Sequence, residues 1–292
     1  MNVLEGVRRE RRLVLHAGAR QWSTVDGEHL RLDDGRVVRP ADVAHLPPCD
    51  PTKILCVHTN YMSRIYEIGG TDDRPAVPTY FQKPLSALSG HDAEIGLPDG
   101  YKFLNYEGEL AAVIGRPMRN VTPDEVWDSI AGFTVANDVT IHDLRDADMN
   151  SMLRVKGADG FCPLGPGLVW GVDVRKSKLR TWLNGDLVQE GDIAEQVFGL
   201  NELIADLARH ITLEPGDIIL TGTPANSRPM KTGDIVEVEI TGVGRLRNTV
   251  VAIPAPRAQL GSQPQDNIGI RRISLGNDER LASHLTRNKN KR

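Results

Sequence analysis

The stretch NYEGELAAVIG, residues 105–115, places two glutamates one residue apart at the start of an apolar run. Successive side chains of a β-strand point to opposite faces, so Glu107 and Glu109 would share one face and Gly108 would lie on the other. Burying two neighbouring carboxylates without compensation costs free energy or raises a pKa, because like charges repel. A divalent cation removes that cost, since Mg²⁺ takes carboxylate oxygens as ligands. The alternative is an edge strand on which both glutamates are solvated.

A third acid follows in the segment GFTVANDVT, residues 132–140. This segment is apolar until Asn137 and Asp138, so Asp138 is expected where a buried strand reaches the surface. A carboxylate at that position suits a metal ligand, whereas a turn or cap residue is the structural alternative.

The composition is that of an ordinary globular protein. The chain has 292 residues, of which 40% are hydrophobic and 25% charged, and its net charge is −4. No apolar run approaches the roughly 20 residues that span a bilayer, and no basic stripe interleaves with aromatic residues. The three cysteines have no metal-type spacing, which indicates free thiols in a reducing compartment. We therefore expect a cytoplasmic protein that binds neither membranes nor nucleic acid.

Strands outnumber helices in the predicted pattern. VDGEHLRLDDGRVVRP, residues 25–40, carries two Asp-Gly turn signals between alternating segments, which predicts a β-hairpin. Further strands are predicted at the apolar runs TKILCV, YFQKP, GELAAVIG, GFTVANDVT, DIILTG and DIVEVEI. We predict an α+β fold that is mostly β, with a small N-terminal β domain at residues 1–50 and a main domain at residues 51–254. Residues 255–292, which end in NKNKR, are expected to form a poorly ordered tail.

Two segments carry helix signals. VTPDEVWDSIAGF offers Thr122 as an N-cap, Pro123 at the first helical position and Glu125 three residues after the cap. LNELIADLARHIT, residues 200–212, has apolar residues at helical spacing.

Four blocks of this sequence, in order and in spacing, resemble the fumarylacetoacetate hydrolase superfamily. The resemblance covers roughly residues 50–252, and its blocks are NYEGELAAVIG, GFTVANDVT, RVKGADGFCPLGPGLV and LEPGDIILTGTP. It implies a mixed β-roll core, a small N-terminal domain and a homodimer.

The resemblance also implies a set of site residues. Its members bind one divalent metal, usually Mg²⁺ or Mn²⁺, and here the matching ligands are Glu107, Glu109 and Asp138. The remaining implied positions contact substrate or act in catalysis: Lys156 of the KG block, Lys83 of the KP block, and Thr223 with the backbone around Gly222 in the TGTP block.

One position departs from the family pattern. Many members that hydrolyse or decarboxylate carry a His-x-x-Glu dyad, but HTNYMSRIYEIGG, residues 58–70, has Arg64 where the histidine would stand. Arginine is not deprotonated near neutral pH, so it cannot act as a general base, but it binds carboxylates well. We therefore hypothesise that Arg64 holds a distal substrate carboxylate and that Glu67 carries the proton. Tyr61, in the same stretch, is a further candidate for substrate binding. A surface ion pair between Arg64 and Glu67 is the alternative.

His58 is a second candidate for proton transfer, since a histidine titrates near neutral pH. A hydrogen-bonded structural histidine is the alternative.

The resemblance implies a substrate that is a small 2-oxo dicarboxylic acid. The closest likeness is to isomerase and decarboxylase members that act on 2-hydroxyhepta-2,4-diene-1,7-dioate and related compounds in aromatic catabolism. A hydrolase of acylpyruvates such as fumarylpyruvate, or an oxaloacetate decarboxylase or tautomerase, is the alternative within the superfamily. A non-catalytic metal-binding scaffold is the alternative outside it. Because the chain has neither a dinucleotide fingerprint nor a G-x-S-x-G elbow, we expect no nucleotide cofactor and no acyl-enzyme.

Overall fold

Two packed β-sheets dominate the fold in a computed structural model, which describes residues 3–70, 73–257 and 260–276. The strands are β1 Arg9–His16, β2 Ala19–Asp26, β3 His29–Leu32, β4 Val37–Val38, β5 Ala44–Leu46, β6 Ile54–Val57, β7 Tyr80–Lys83, β8 Leu88–Ser89, β9 Glu94–Pro98, β10 Leu104–Asn105, β11 Gly108–Ile114, β12 Ile130–Asn137, β13 Thr140–Ile141, β14 Cys162–Trp170, β15 Lys178–Leu183, β16 Asp186–Asp192, β17 Ile218–Leu220, β18 Ile235–Ile240 and β19 Gly244–Ile253. The α-helices are α1 Met62–Glu67, α2 Arg145–Asp148, α3 Leu153–Lys156, α4 Leu200–Ala208 and α5 Ile268–Leu275. This mixture of many strands and few helices confirms the predicted α+β class.

The larger sheet has the strand order β4-β3-β2-β1-β14-β12-β11-β17-β6-β7, with β5 paired to β1 and β8 paired to β14. Its N-terminal hairpins join the rest through β1, which runs antiparallel to β14. The predicted boundary near residue 50 therefore falls within one hydrogen-bonded sheet, because strand pairing links segments that lie far apart in sequence.

The smaller sheet has the order β16-β15-β18-β19-β9 and packs on one face of β11. Gly108 permits that approach, since a Cβ there would lie 2.5 Å from Thr181 Oγ1 and 2.9 Å from Val238 Cγ1. The residue between the two glutamates is thus small because a second sheet covers its face.

Strand β11 is buried on both faces. Leu110, Ala112 and Ile114 enter the core cluster shared with the smaller sheet and α4, whereas Ala111 and Val113 enter a second cluster with β6 and β17. Fully burying each large aliphatic side chain contributes about 1.5–3 kcal/mol. The two glutamates share the face of Ala111 and Val113, so they lie inside the protein and not at a solvated edge.

Of the two predicted helices, one forms an α-helix and the other does not. Helix α4, Leu200–Ala208, forms within the predicted segment 200–212 and turns its apolar residues to the core. Around Thr122 the chain forms only a short 3-10 helix, Glu125–Ser129. The Thr122 amide and hydroxyl both donate to the Glu125 carboxylate, at 2.8 and 2.9 Å, so half of the predicted capping box is present without an α-helix behind it.

The predicted tail contains helix α5, Ile268–Leu275, which packs on the body of the protein. Asn267 caps it, since its side-chain oxygen accepts from the amides of Gly269 and Ile270. Part of the segment expected to be poorly ordered is therefore helical, because Ile270 and Leu275 bury against Phe103. Residues 277–292 lie outside the described part of the chain.

In the described ranges, no helix is long and apolar enough to cross a membrane. Cys49, Cys56 and Cys162 are buried free thiols.

Candidate active site

Strands β11 and β12 bring three carboxylates together. Gly108 pairs with Asn137 in the antiparallel register, so Glu107 and Asp138 lie side by side just beyond the paired ends. Two hydrogen bonds of 2.8 Å fix this junction: the Glu107 amide donates to Asn137 Oδ1, and the Asp138 amide donates to the Glu107 carbonyl. Oxygens of Glu107, Glu109 and Asp138 all lie within 4.8 Å of one another, and all three side chains are buried.

The electrostatics of this cluster fit a bound cation. Burial raises the pKa of Glu109 well above its ordinary value, and the neighbouring charges of Asp138 and Glu107 raise it further. One hydrogen bond opposes this shift, from the Gly222 amide to Glu109 Oε2 at 2.6 Å. A buried all-oxygen donor set that carries surplus negative charge suits a divalent ion such as Mg²⁺ or Mn²⁺. The cluster could therefore hold a metal ion, as the sequence predicted.

Two lysines compensate part of the negative charge. Lys83 is fully buried, and its Nζ donates to Asp138 Oδ1 and to the Val139 carbonyl. Lys156 Nζ donates to Asp138 Oδ2 and, over 2.6 Å, to Glu107 Oε2. Burial alone would lower the pKa of Lys156, but the adjacent carboxylates hold that pKa above its ordinary value, so the ammonium stays charged.

A small cavity of about 50 Å³ opens beside this cluster. Among the described residues, its lining consists of His58, Thr59, Arg64, Ile68, Glu107, His142, Arg145, Met152, Lys156, Thr223 and Ile273. The structure thus brings five of the sequence-predicted site residues to one cavity: His58, Arg64, Glu107, Lys156 and Thr223. Lys83 lies behind Asp138 and does not line the cavity, so its place suits a positioning role.

Gly222 was expected to contact the substrate through its backbone, but its amide has another role. Its amide donates to Glu109 and is therefore not free for a substrate carboxylate. Only glycine fits there, because the residue has φ +93° and a Cβ would approach Asn60 Cβ to 2.8 Å. The adjacent Thr223 does line the cavity, and its hydroxyl accepts from Gln189 Nε2 at 3.1 Å.

Arg64 and Glu67 form a buried ion pair. Arg64 Nη1 donates to Glu67 Oε2 at 2.6 Å, and Arg228 Nη1 donates to Glu67 Oε1 at 2.6 Å. The Asn226 amide also donates to this carboxylate. Both oxygens of Glu67 are engaged and the residue is absent from the cavity lining, which does not favour it as the proton carrier.

Of the two remaining candidates, only His58 reaches the cavity. Burial, together with the charges of Lys156 and Arg145, lowers the pKa of His58, so its imidazole is neutral at pH 7. Tyr61 is buried at the start of α1 and packs near Gly191. It was predicted to bind substrate, but it does not line the cavity.

Sequence reasoning did not assign Arg145 or Ile273 to the site, although both line the cavity, and it left His142 open between a support of the metal shell and a loop-surface residue. Arg145 forms no ion pair among the described residues, and its Nη1 donates to Met152 Sδ at 3.9 Å. His142 is buried, and neither of its ring nitrogens has a partner in the described protein. Ile273 comes from the predicted tail. The segment VTIHDLR directly after Asp138 was the available signal for Arg145 and His142, and nothing local indicated Ile273.

The family comparison agrees with this architecture. Residues 53–251 match the family described as fumarylacetoacetate (FAA) hydrolase C-terminal.

Two curated relatives have named activities. A 4-hydroxyphenylacetate degradation bifunctional isomerase/decarboxylase of Salmonella dublin is 38% identical over 68% of this chain, and the match spans 46% of that longer protein. The oxaloacetate tautomerase YisK of Bacillus subtilis is 34% identical over 70% of this chain and 72% of its own length.

A solved structure shares the fold. The crystal structure of 5-carboxymethyl-2-hydroxymuconate delta-isomerase from Mycobacterium smegmatis is 33% identical, with a TM-score of 0.76 over 84% of this chain and 99% of that one.

Proposed function

The chain belongs to the fumarylacetoacetate hydrolase family, and from that membership we propose that it is a metal-dependent isomerase or decarboxylase of an unsaturated 2-oxo dicarboxylic acid. Such compounds arise in the breakdown of aromatic rings, which is the context that the name of the Salmonella dublin relative states.

The charge of the cavity lining is the observation that carries this proposal. Arg64, Arg145 and Lys156 are cationic, whereas Glu107 is the only carboxylate among the described lining residues. A cavity of this kind favours an anion, because each charge-assisted hydrogen bond to a carboxylate is stronger than a neutral one. Arg145 forms no ion pair with a carboxylate of the described residues, so we assign it the distal carboxylate of the substrate, with Arg64 as the sequence-predicted alternative.

The proposed metal ligands are Glu107, Glu109 and Asp138. A divalent cation held by their oxygens would supply Lewis-acid stabilisation of negative charge developing on the 2-oxo group. Lys83 and the Gly222 amide hold two of these carboxylates in place. Lys156 adds a fixed positive charge at the wall of the cavity.

We assign proton transfer to His58. Its imidazole is neutral at pH 7 and lines the cavity, so it can remove a proton from one carbon of the substrate and return it to another. Isomerisation requires only this transfer. In decarboxylation, CO₂ leaves while the electron pair of the broken carbon–carbon bond stays on the substrate, and a proton taken up from water and relayed by His58 replaces the lost carboxylate. Hydrolysis is disfavoured, since Arg64 stands at the place of the water-activating histidine.

The test is an ultraviolet assay of the purified protein with a panel of 2-oxo and 2-hydroxydienoic acids, with Mg²⁺ and with chelator. Enols and ketones absorb differently, so isomerisation, decarboxylation and carbon–carbon cleavage give distinct traces. We expect mass-conserving isomerisation or release of CO₂ that requires the metal. Release of two acids would show a hydrolase, and no turnover of any acid would favour the non-catalytic scaffold.

A homodimer in the cytoplasm completes the proposal. Sedimentation of the purified protein tests the first part, and fractionation of cells tests the second.

A further inference from the structure

Helix α5 forms part of the cavity wall although it lies outside the family match, which ends at residue 251. Ile273 lines the cavity, and its carbonyl accepts from Arg64 Nη2 at 3.3 Å. Gly276 lies against the buried ion pair, since a Cβ there would come within 2.7 Å of Glu67 Oε1. This chain therefore adds a wall that the matched family region does not itself supply.

A buried polar contact holds the helix in register. Asn105 Nδ2 donates to the Ser274 carbonyl at 2.9 Å, and Ser274 Oγ donates to Asn105 Oδ1 at 2.8 Å. Both residues are fully buried. Because an unpaired polar group in this position costs about 1–3 kcal/mol, the reciprocal pair strongly favours one placement of α5.

Apolar and charged contacts support the same placement. Ile270 and Leu275 bury against Phe103, which directly precedes β10, the strand that leads to Glu107. Asp266, just before the helix, accepts from Lys102 Nζ at 3.0 Å and from Arg271. The position of Ile273 is therefore defined by contacts on both sides of it along the helix.

We propose that Ile273, presented by α5, sets the length of the acid that the cavity accepts and selects a short dicarboxylate. The cavity holds about 50 Å³, whereas small-molecule sites usually hold about 300–1,000 Å³. Ile273 and Arg145 line the same cavity, so a larger or smaller side chain at position 273 changes the room between the metal-ligand cluster and the distal anchor. This inference rests on the proposed function for the kind of ligand but concerns its size: of the acids considered above, it favours the four-carbon oxaloacetate over the seven-carbon 2-hydroxyhepta-2,4-diene-1,7-dioate.

Binding calorimetry of the full-length protein tests the inference without requiring turnover. The probes are succinate, with four carbons, and heptanedioate, with seven, each titrated into metal-loaded protein. The variants are Ile273→Ala, Ile273→Phe and the matched control Ile268→Ala, which removes the same atoms from an exposed position of the same helix.

We expect the wild type to bind succinate at least about tenfold more tightly than heptanedioate, because each poorly accommodated methylene costs about tenfold or more. The quantity compared is the Kd for heptanedioate divided by the Kd for succinate. We expect Ile273→Ala to lower this ratio about tenfold, Ile273→Phe to raise it, and Ile268→Ala to leave it at the wild-type value. Equal ratios in Ile273→Ala and Ile268→Ala overturn the inference, as does a wild type that binds both acids equally. Normal size selection without turnover of any oxo acid would instead contradict the proposed reaction.

Discussion

Arg64 and Glu67 are joined across 2.6 Å inside the protein, with side chains only 6% and 5% exposed. The sequence predicted that Arg64 anchors a substrate carboxylate while Glu67 carries the proton, with a surface ion pair as the alternative. The pair is buried, Arg64 lines the cavity, and Glu67 lies outside the cavity lining as the counter-ion of Arg64.

The first prediction concerns this pair. Among the described residues, Glu67→Gln leaves the buried Arg64 with only its longer, 3.8 Å ion-pair contact to Glu107 Oε1, and removing one partner of a buried pair costs about 3–5 kcal/mol. We expect the free energy of unfolding, measured with urea, to fall by that amount. Glu190→Gln is the control, because its bond to Arg180 is exposed and contributes about 1 kcal/mol or less. Equal losses in both variants would contradict the buried-pair account.

The second prediction concerns Arg145. Arg145→Ala should raise the KM for a 2-oxo dicarboxylate about 10- to 100-fold, since a hydrogen bond to a charged group contributes about 1.5–3 kcal/mol. The KM for a 2-oxo monocarboxylate should change little, because it has no distal carboxylate. Arg209→Ala, on the surface, should match the wild type. If Arg64→Ala produced this selective effect and Arg145→Ala did not, the distal anchor would be Arg64.

The third prediction concerns the carboxylate cluster. Mg²⁺ or Mn²⁺ should raise the melting temperature, because a ligand at 100 times its Kd stabilises the folded state by about 2.7 kcal/mol, and chelator should reverse the change. Glu109→Gln should abolish the shift, whereas the exposed Glu125→Gln should preserve it. A full shift in Glu109→Gln would mean that the ion binds elsewhere.

The fourth prediction concerns pH. The pKa of His58 lies below 6.5, so the imidazole is neutral and able to accept a proton at pH 7, and it is protonated only in more acid solution. With metal saturating, kcat/KM should be constant near neutrality and should fall as pH drops below 6.5 through that lowered pKa. His58→Gln should lose about 100-fold or more of the rate together with this dependence, whereas the exposed His210→Gln should keep both. An unchanged profile in His58→Gln would assign the proton transfer to another group.

The fifth prediction concerns His142. Replacing this buried imidazole by leucine removes two ring nitrogens that have no partner in the described protein. We expect His142→Leu to raise the melting temperature while it lowers the affinity for dicarboxylates, because a neutral imidazole can donate a hydrogen bond to a bound anion. Parallel losses of stability and affinity would indicate a purely structural histidine.

Much of the metal-binding cluster could be anticipated from the sequence. Alternation along a strand places Glu107 and Glu109 on one face whatever the tertiary structure, and the same local rule puts Asp138 at the end of β12. Strand segments such as GELAAVIG and the helical spacing of residues 200–212 are likewise local patterns, and they form as predicted.

The tertiary structure alone decided how those elements enclose the cavity. The hydrogen bond between Arg64 and Ile273 joins residues that are 209 positions apart in sequence, and the one between Asn105 and Ser274 joins residues 169 positions apart. The tail of the chain is polar and charged, so local composition predicted disorder, yet two apolar residues of α5, Ile270 and Leu275, bury against Phe103, and the helix completes the cavity wall. Sequence periodicity reports which face of an element is apolar, but the partner of that face depends on packing energies summed over the whole chain, which no local pattern contains.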